Sequence, residues 1–295
     1  MKIVVTGSLG HIGKPLTEIL IKQGHAVTVV SSKPDKRGGI EVLGAAAAIG
    51  TVTDAAFVES VFAGADAVYC MIPPDLSKKN QIAYYSGISQ NYVKAIDRGG
   101  VKRVVHLSSY GADLDRGTGI ICAAHHAELI LDSLAGVAIT HLRPGYFYYN
   151  LFNFKNMINK AGFIGANYGG EDRIVLVAPE DIAKAAAEEL IRPGTGVDHR
   201  YVVSDDRTAA DIAKVLGAAI DQPDLQWMTF TDEQARQGME QQGMPGHLIP
   251  VFVELGAAIH SGILRKDYDK HQQLVKNGVR IEDFAKEFAK SFNEI

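Results

Sequence analysis

Cysteine is scarce in this sequence: Cys70 and Cys122 are the only two, far apart and without a C-x-x-C spacing. That excludes a disulfide framework and a zinc ribbon, and buried, reduced thiols are expected. Basic blocks are missing as well. Thirty Lys and Arg against thirty-four Asp and Glu leave a formal net charge of -4, and no cationic run is long enough to track a phosphate backbone, so nucleic acid is not an expected partner. No apolar run approaches the roughly 18 residues that a bilayer span requires. The stretch after Met1-Lys2 is also too brief for the apolar core of a secretory signal. The expectation is a cytoplasmic protein with no membrane partner.

What remains is the composition of an ordinary globular protein, 46% hydrophobic and 22% charged over 295 residues. A chain of this size buries roughly three quarters of its unfolded surface and needs no staple. Short β-branched runs at Lys2–Thr6, His25–Val30, Ala46–Gly50, Ala67–Ile72, Arg103–Leu107 and Val137–Leu142 read as strands. Between them His11–Gln23, Asp54–Phe62, Asn80–Asp97 and Ile120–Leu134 carry apolar residues at helical spacing. The alternation predicts an α/β fold: a doubly wound parallel sheet of six strands with right-handed crossovers, a Rossmann fold. Beyond Arg143-Pro144-Gly145 the rhythm loosens into an aromatic stretch and a Gly-rich patch from Gly162 to Gly170. Helices are then expected at Glu180–Ile191, Asp211–Ala219, Asp232–Gln241, Val251–Ile259 and Glu282–Phe292, with one more strand at Tyr201–Val203. Residues 1–150 are read as a nucleotide-binding domain, and 151–295 as a smaller, mostly helical substrate lobe interleaved with the sheet.

The strongest local signal is Val4-Val5-Thr6-Gly7-Ser8-Leu9-Gly10-His11-Ile12-Gly13, a strand that ends in G-x-x-G-x-x-G and opens into a helix. One glycine allows the tight turn, one lets backbone approach a pyrophosphate, and one lets helix pack on strand. The helix N-terminus then offers N–H groups and partial positive charge to a phosphate. Gly7, Ser8, Leu9, Gly10, His11, Ile12 and Gly13 are therefore candidate dinucleotide contacts. At the tip of the second strand, where a carboxylate would grip the ribose of NAD, the chain reads Ser31-Ser32-Lys33-Pro34-Asp35-Lys36-Arg37. Hydroxyls at Ser31 and Ser32 and cations at Lys33 and Arg37 suit a 2′-phosphate, which favours NADP, with NAD still open through Asp35.

These residues resemble the short-chain dehydrogenase/reductase superfamily, and specifically its atypical NmrA-like branch. The resemblance runs through Thr6-Gly7 to Gly13, Ala63-Gly64-Ala65-Asp66-Ala67-Val68, Ile72-Pro73-Pro74, Gly100-Val101-Lys102-Arg103-Val104-Val105, Leu142-Arg143-Pro144-Gly145 and Glu180-Asp181-Ile182-Ala183. It covers most of the chain, with few specific motifs in the last hundred residues. It implies that Ile72, Pro73, Leu107, Ser108 and Tyr146 lie along the cofactor. In the superfamily's catalytic members a Ser or Thr after the fifth strand and Tyr-x-x-x-Lys on the next helix move the proton. Here two registers are open: Ile120 with Ala124, or Ile121 with His125. Both lose the tyrosine, and isoleucine has no proton to give.

Chemistry that survives this loss is hydride transfer to a quinone-like or other conjugated acceptor, an aromatic small molecule whose product anion has a pKa of about 10. His125 is the candidate to replace the lysine, and Tyr110 and Ser109 are candidate stand-ins for the missing acid; the plain alternatives are a helical histidine and a turn with its cap. The run Tyr146-Phe147-Tyr148-Tyr149-Asn150-Leu151-Phe152 suits either a flat acceptor or packing within the protein. His125-His126-Ala127-Glu128 lacks the i, i+4 histidine pair of a zinc helix, so no metal is expected. A non-enzymatic NADP(H) redox sensor is the competing reading, and an NAD-dependent epimerase or dehydratase is the one most damaged by Ile120 and Ile121.

Overall fold

Lys2–Val5 (β1), Ala26–Ser31 (β2), Ala46–Ile49 (β3), Ala67–Cys70 (β4), Arg103–Leu107 (β5) and Ala138–Pro144 (β6) form the expected strands. The computed structural model describes residues 1–271 and 274–292. Further strands are Tyr146–Phe147 (β7), Ile164–Ala166 (β8), Arg173–Val177 (β9), Val197–Val202 (β10), Asp205–Thr208 (β11) and Trp227–Thr229 (β12). The helices are Gly13–Lys22 (α1), Arg37–Val42 (α2), Ala55–Phe62 (α3), Gln81–Gly99 (α4), Cys122–Leu131 (α5) and Lys155–Ala161 (α6). They continue with Pro179–Ile191 (α7), Ala209–Ala219 (α8), Asp232–Gln241 (α9), Ile249–His260 (α10), Tyr268–His271 (α11) and Ile281–Phe292 (α12).

The main sheet has the order β10-β6-β5-β4-β1-β2-β3. Pairing from β3 through β6 is parallel throughout, with Val4 between Thr28 and Val68. The order reverses at β1 and β4, the switch point where open α/β sheets bind ligands at the carboxyl ends of their strands. The chain forms two compact units. One comprises residues 1–112, 123–143 and 182–200; the other comprises 113–122, 144–181 and 201–295.

In the first unit, β1 places Ile3, Val4 and Val5 inside, and α1 lays Leu16 and Leu20, one turn apart, against the sheet. Each such buried side chain contributes about 1.5–3 kcal/mol. Asp54 caps α3 by accepting from the Ala56 and Phe57 amides, as its position before the helix suggests. Asn80 caps α4, and Gly100 ends that helix in the left-handed region at φ 69°. Phe62 of α3 stacks on Tyr92 of α4 with ring centroids 5.8 Å apart. Cys70 and Cys122 are both free and buried.

Several expectations need correction. The sheet has seven strands, because the strand expected at Tyr201–Val203 is longer, starts at Val197, and lies beside β6. The basic tip after β2 is a 3-10 turn at Pro34–Lys36 running into α2; Pro34 at its first position favours that start despite Gly38 and Gly39. Ile120 and Ile121 stand in a 3-10 turn, Gly119–Ile121, rather than in the first turn of a long α-helix. The second half keeps the five helices expected of it and is also richer in strands than expected. Two small sheets, β11-β9-β7 and β12-β8, are built there. Asp205–Thr208 has no strand-like composition and pairs because β9, apolar from Ile174 to Val177, offers it a ladder.

On the register of β5 and β6, His106 faces His141, with their Nδ1 atoms 2.9 Å apart. Burial, reinforced by His141, pushes His106 from its ordinary 6.5 down to about 3. The unfolded chain takes up this proton near pH 6.5 and the folded chain only near pH 3, so stability falls as pH drops through that window. Unfolding by urea at pH 7 and pH 5 should show a loss on the order of 1–2 kcal/mol that His106→Leu removes from the pH slope. An unchanged slope in the variant would dismiss the histidine as its source.

Candidate functional site

The turn between β1 and α1 is shaped by close contacts of the backbone with itself. Gly7 has φ 99° and Ser8 φ 61°, consecutive residues in a region L side chains avoid. A Cβ on Gly13 would stand 2.1 Å from the Ser8 carbonyl oxygen, so only glycine lets α1 start there. Gly10 is different. A Cβ there would meet nothing nearer than the Gly7 oxygen at 3.5 Å, and the residue is exposed. The protein itself does not need glycine at that point; a ligand lying against the backbone would.

No side chain caps α1 and no acid stands in its first turn. A helix start left this way favours an anion. Thr6 ties the turn to β4, its hydroxyl donating toward the Tyr69 and Met71 carbonyls and accepting from the Met71 amide at 2.8 Å. Leu9 and His11 sit on the rim, half-buried and exposed, while Ile12 is buried beneath.

At the tip of β2, Ser31 is buried, and its hydroxyl accepts from the Ser8 hydroxyl at 3.0 Å and from the Lys33 amide at 3.2 Å. It braces the glycine turn against the basic tip. Ser32, Lys33 and Arg37 are exposed, and Arg37 lies 3.6 Å from Glu41 on its own helix. Beyond β4, Ile72 is buried and the Pro73 carbonyl accepts from Tyr84 at 3.1 Å.

The carboxyl end of β5 leads through half-buried Leu107 to Ser108, Ser109 and Tyr110. The Ser108 hydroxyl is 2.5 Å from Oε1 of Glu128 on α5. Arg143 donates its Nε to that same oxygen at 3.0 Å and its Nη2 to Oε2 at 2.7 Å. His199 stands 3.5 Å from Oε2. Burial alone would raise the Glu128 carboxyl, but His199 and Arg143 outweigh it and hold the group well below the usual carboxylate range. Ser109 donates to the Tyr110 carbonyl at 3.1 Å, and Tyr110 is only 6% exposed. His125, half-buried on α5, has Nδ1 2.8 Å from the Ala112 carbonyl.

Sequence reasoning singled out Ser108, Ser109 and His125 but not Glu128 as the partner of Ser108. Glu128 and Arg143 are fifteen positions apart, and only the crossing of α5 over β6 brings them together. The sequence signal was present in Leu142-Arg143-Pro144, a cation on a strand with no acid near it in the chain.

Within the second unit, the aromatic run divides. Tyr148 is buried, donates to the Val279 carbonyl at 2.9 Å and stacks on Phe284, and Phe152 stacks on Phe288. These two rings are packing against α12. Tyr146 stays half-buried on β7. Trp227 is core, against Phe154 and Tyr168. Helices α9 and α10 border an open cavity of about 740 Å³, with Ile249, Val253 and Ala257 on its apolar side and Asp232 and Glu254 on its polar side. Among the described residues, no three His, Cys, Asp or Glu are grouped to hold a metal ion, and no helix is long and apolar enough to cross a membrane.

Residues 7–193 match the NAD(P)H-binding family. The chain is 26% identical over 296 residues to the NAD(P)H azoreductase of Xenophilus azovorans, covering 98% of this chain and 99% of that protein. Its fold superimposes on the triphenylmethane reductase of Citrobacter sp. with a TM-score of 0.83 at 19% identity, over 98% of this chain and 100% of that one. An NADPH-dependent quinone oxidoreductase from Escherichia coli, solved with NADPH, gives 0.83 at 19% identity over 97% and 99%.

The turn makes a test of its own. Gly10→Val should fold with a melting temperature near wild type yet lose NADPH binding by at least about tenfold, because its side chain occupies the ligand's side of the loop. Gly13→Val should instead lower stability by several kcal/mol, as overpacking against a backbone carbonyl does. Calorimetric titration beside thermal melts checks both, and a Gly10→Val protein that binds normally contradicts the cradle.

Proposed function

The chain belongs to the NAD(P)H-binding family, and on that premise we propose that it is an oxidoreductase that reduces a quinone-like or other conjugated small molecule by hydride transfer. One observation carries the reading. The glycine turn that would cradle a dinucleotide is formed with its helix start uncapped, whereas the stretch that would hold a proton-donating tyrosine and its lysine carries Ile120, Ile121, Ala124 and His125.

Gly7 to Gly13 would hold the pyrophosphate, with the start of α1 meeting its charge. Ser32, Lys33 and Arg37 would meet a 2′-phosphate, while Ser31 shapes the loop that presents them. Ile72, Pro73, Leu107, Ser108 and Tyr146 are proposed along the remainder of the nucleotide. When bound, NAD(P)H supplies the hydride, and the protein orients the acceptor against it. Simple ketones yield a strongly basic alkoxide and need an acid in place. Quinones yield a phenolate-like anion with a pKa of about 10, which water can protonate, and a cationic dye is neutralised by the incoming hydride itself. The relatives named for azo, triphenylmethane and quinone substrates support this class. Residues 1–150 for the nucleotide and 151–295 for the substrate complete the proposal.

Purified protein should oxidise NADPH when offered a panel of quinones and dyes, followed by the loss of NADPH absorbance. Tight binding without turnover on the whole panel would replace the enzyme with a sensor. Lys33→Ala should weaken NADPH about 3- to 10-fold while leaving NADH nearly unchanged; equal losses would remove the basic tip from phosphate recognition.

A further inference from the structure

We propose that Ser108, Ser109 and His125 face the ligand as hydrogen-bond acceptors only, and that Glu128 is the positioning residue that turns Ser108 this way. The inference rests on the nucleotide-binding reading above and assigns the chemistry of that site's inner wall.

Ser108 has one O–H, and its oxygen lies 2.5 Å from a carboxylate that Arg143 grips through two N–H groups. A carboxylate so gripped is ionised and has no proton to offer, so the serine donates and the carboxylate accepts. Ser108 keeps only lone pairs for a ligand. Ser109 donates its single O–H to the Tyr110 carbonyl. His125 has Nδ1 against the Ala112 carbonyl, which can only accept, so in the neutral ring the proton sits on Nδ1 and Nε2 carries a lone pair. Three side chains on two elements have their donors engaged by the protein itself.

A wall of this polarity recognises donors: ribose hydroxyls or the N–H of a carboxamide on the nicotinamide half of the nucleotide. It cannot polarise a substrate carbonyl, which needs a donor aimed at the oxygen. Ser108 thus serves a different role from the proton-moving serine implied by the superfamily resemblance. The acceptor must therefore be one whose reduced form needs no donor from this wall, which narrows the substrate to conjugated systems that delocalise the incoming charge.

The test measures NADPH affinity by calorimetry, without turnover, for wild type, Ser108→Ala, Ser108→Thr, Glu128→Gln and the double variant Ser108→Ala/Glu128→Gln, with melting curves for each. Ser108→Ala should bind about 3- to 10-fold more weakly, and Ser108→Thr, which keeps the hydroxyl, should bind like wild type. Glu128→Gln has one acceptor oxygen for the three donors supplied by Ser108 and by Nε and Nη2 of Arg143, so it loosens the hold on the Ser108 hydroxyl and should weaken binding by a similar factor while adding nothing in the Ser108→Ala background. Losses that multiply in the double variant would overturn the positioning role. Should the Glu128 variants fail to fold, the Ser108 pair decides: unchanged affinity in Ser108→Ala overturns the proposal. A wild type that binds no NADPH would instead overturn the function on which it rests.

Discussion

The structure depends on how closely the chain approaches itself where β1 turns into α1. With the Ser8 carbonyl 2.1 Å from where a Gly13 side chain would begin, helix and strand can meet only through glycine. That contact fixes the direction of α1, and the direction of α1 aims its uncapped N-terminus at the carboxyl edge of the sheet. Gly7 and Ser8 hold the intervening backbone in the left-handed region, so its amides are turned before any ligand arrives. The proposed nucleotide site is thus a consequence of packing, with its cost in conformational strain met by the buried strands on either side.

Around this turn, polar groups are braced from within. Thr6 and Tyr92 lock the end of β1 to Met71 beyond β4. Ser31 links the glycine turn to the tip of β2. Beyond β5, Ser108 donates inward to Glu128, which Arg143 holds in place. Rigid, internally satisfied hydroxyls suit a site that must bind a large polar cofactor without offering acid to the substrate. Serine and histidine donors engaged in this way suit acceptors that stabilise their own charge. The superfamily resemblance and the site geometry meet at this point, through the missing tyrosine and the engaged serine.

How much of this was legible in the sequence varied with the range of the interactions. The first six strands and the glycine turn were readable because β-branched runs and G-x-x-G-x-x-G report local requirements of backbone and burial. Asp54 at the start of α3 was readable for the same reason. By contrast, Asp205–Thr208 became a strand through its partner β9, and α2 formed across two glycines that locally argue against a helix. The site was legible in the residue types at Ser108 and His125, but their polarity was not. It is set by Glu128 and by the Ala112 carbonyl, contacts between segments that no spacing announces. The aromatic run is different again: composition left a ligand surface and packing both open, and two of its rings, Tyr148 and Phe152, are held by α12.

The most direct test of the account is a calorimetric titration of the wild-type protein with NADPH and, separately, with NADH. Saturable one-to-one binding of NADPH at micromolar concentrations, tighter than NADH, is the predicted result. Absence of heat and of saturation with either coenzyme up to millimolar concentrations would contradict the cradle and the chemistry built on it.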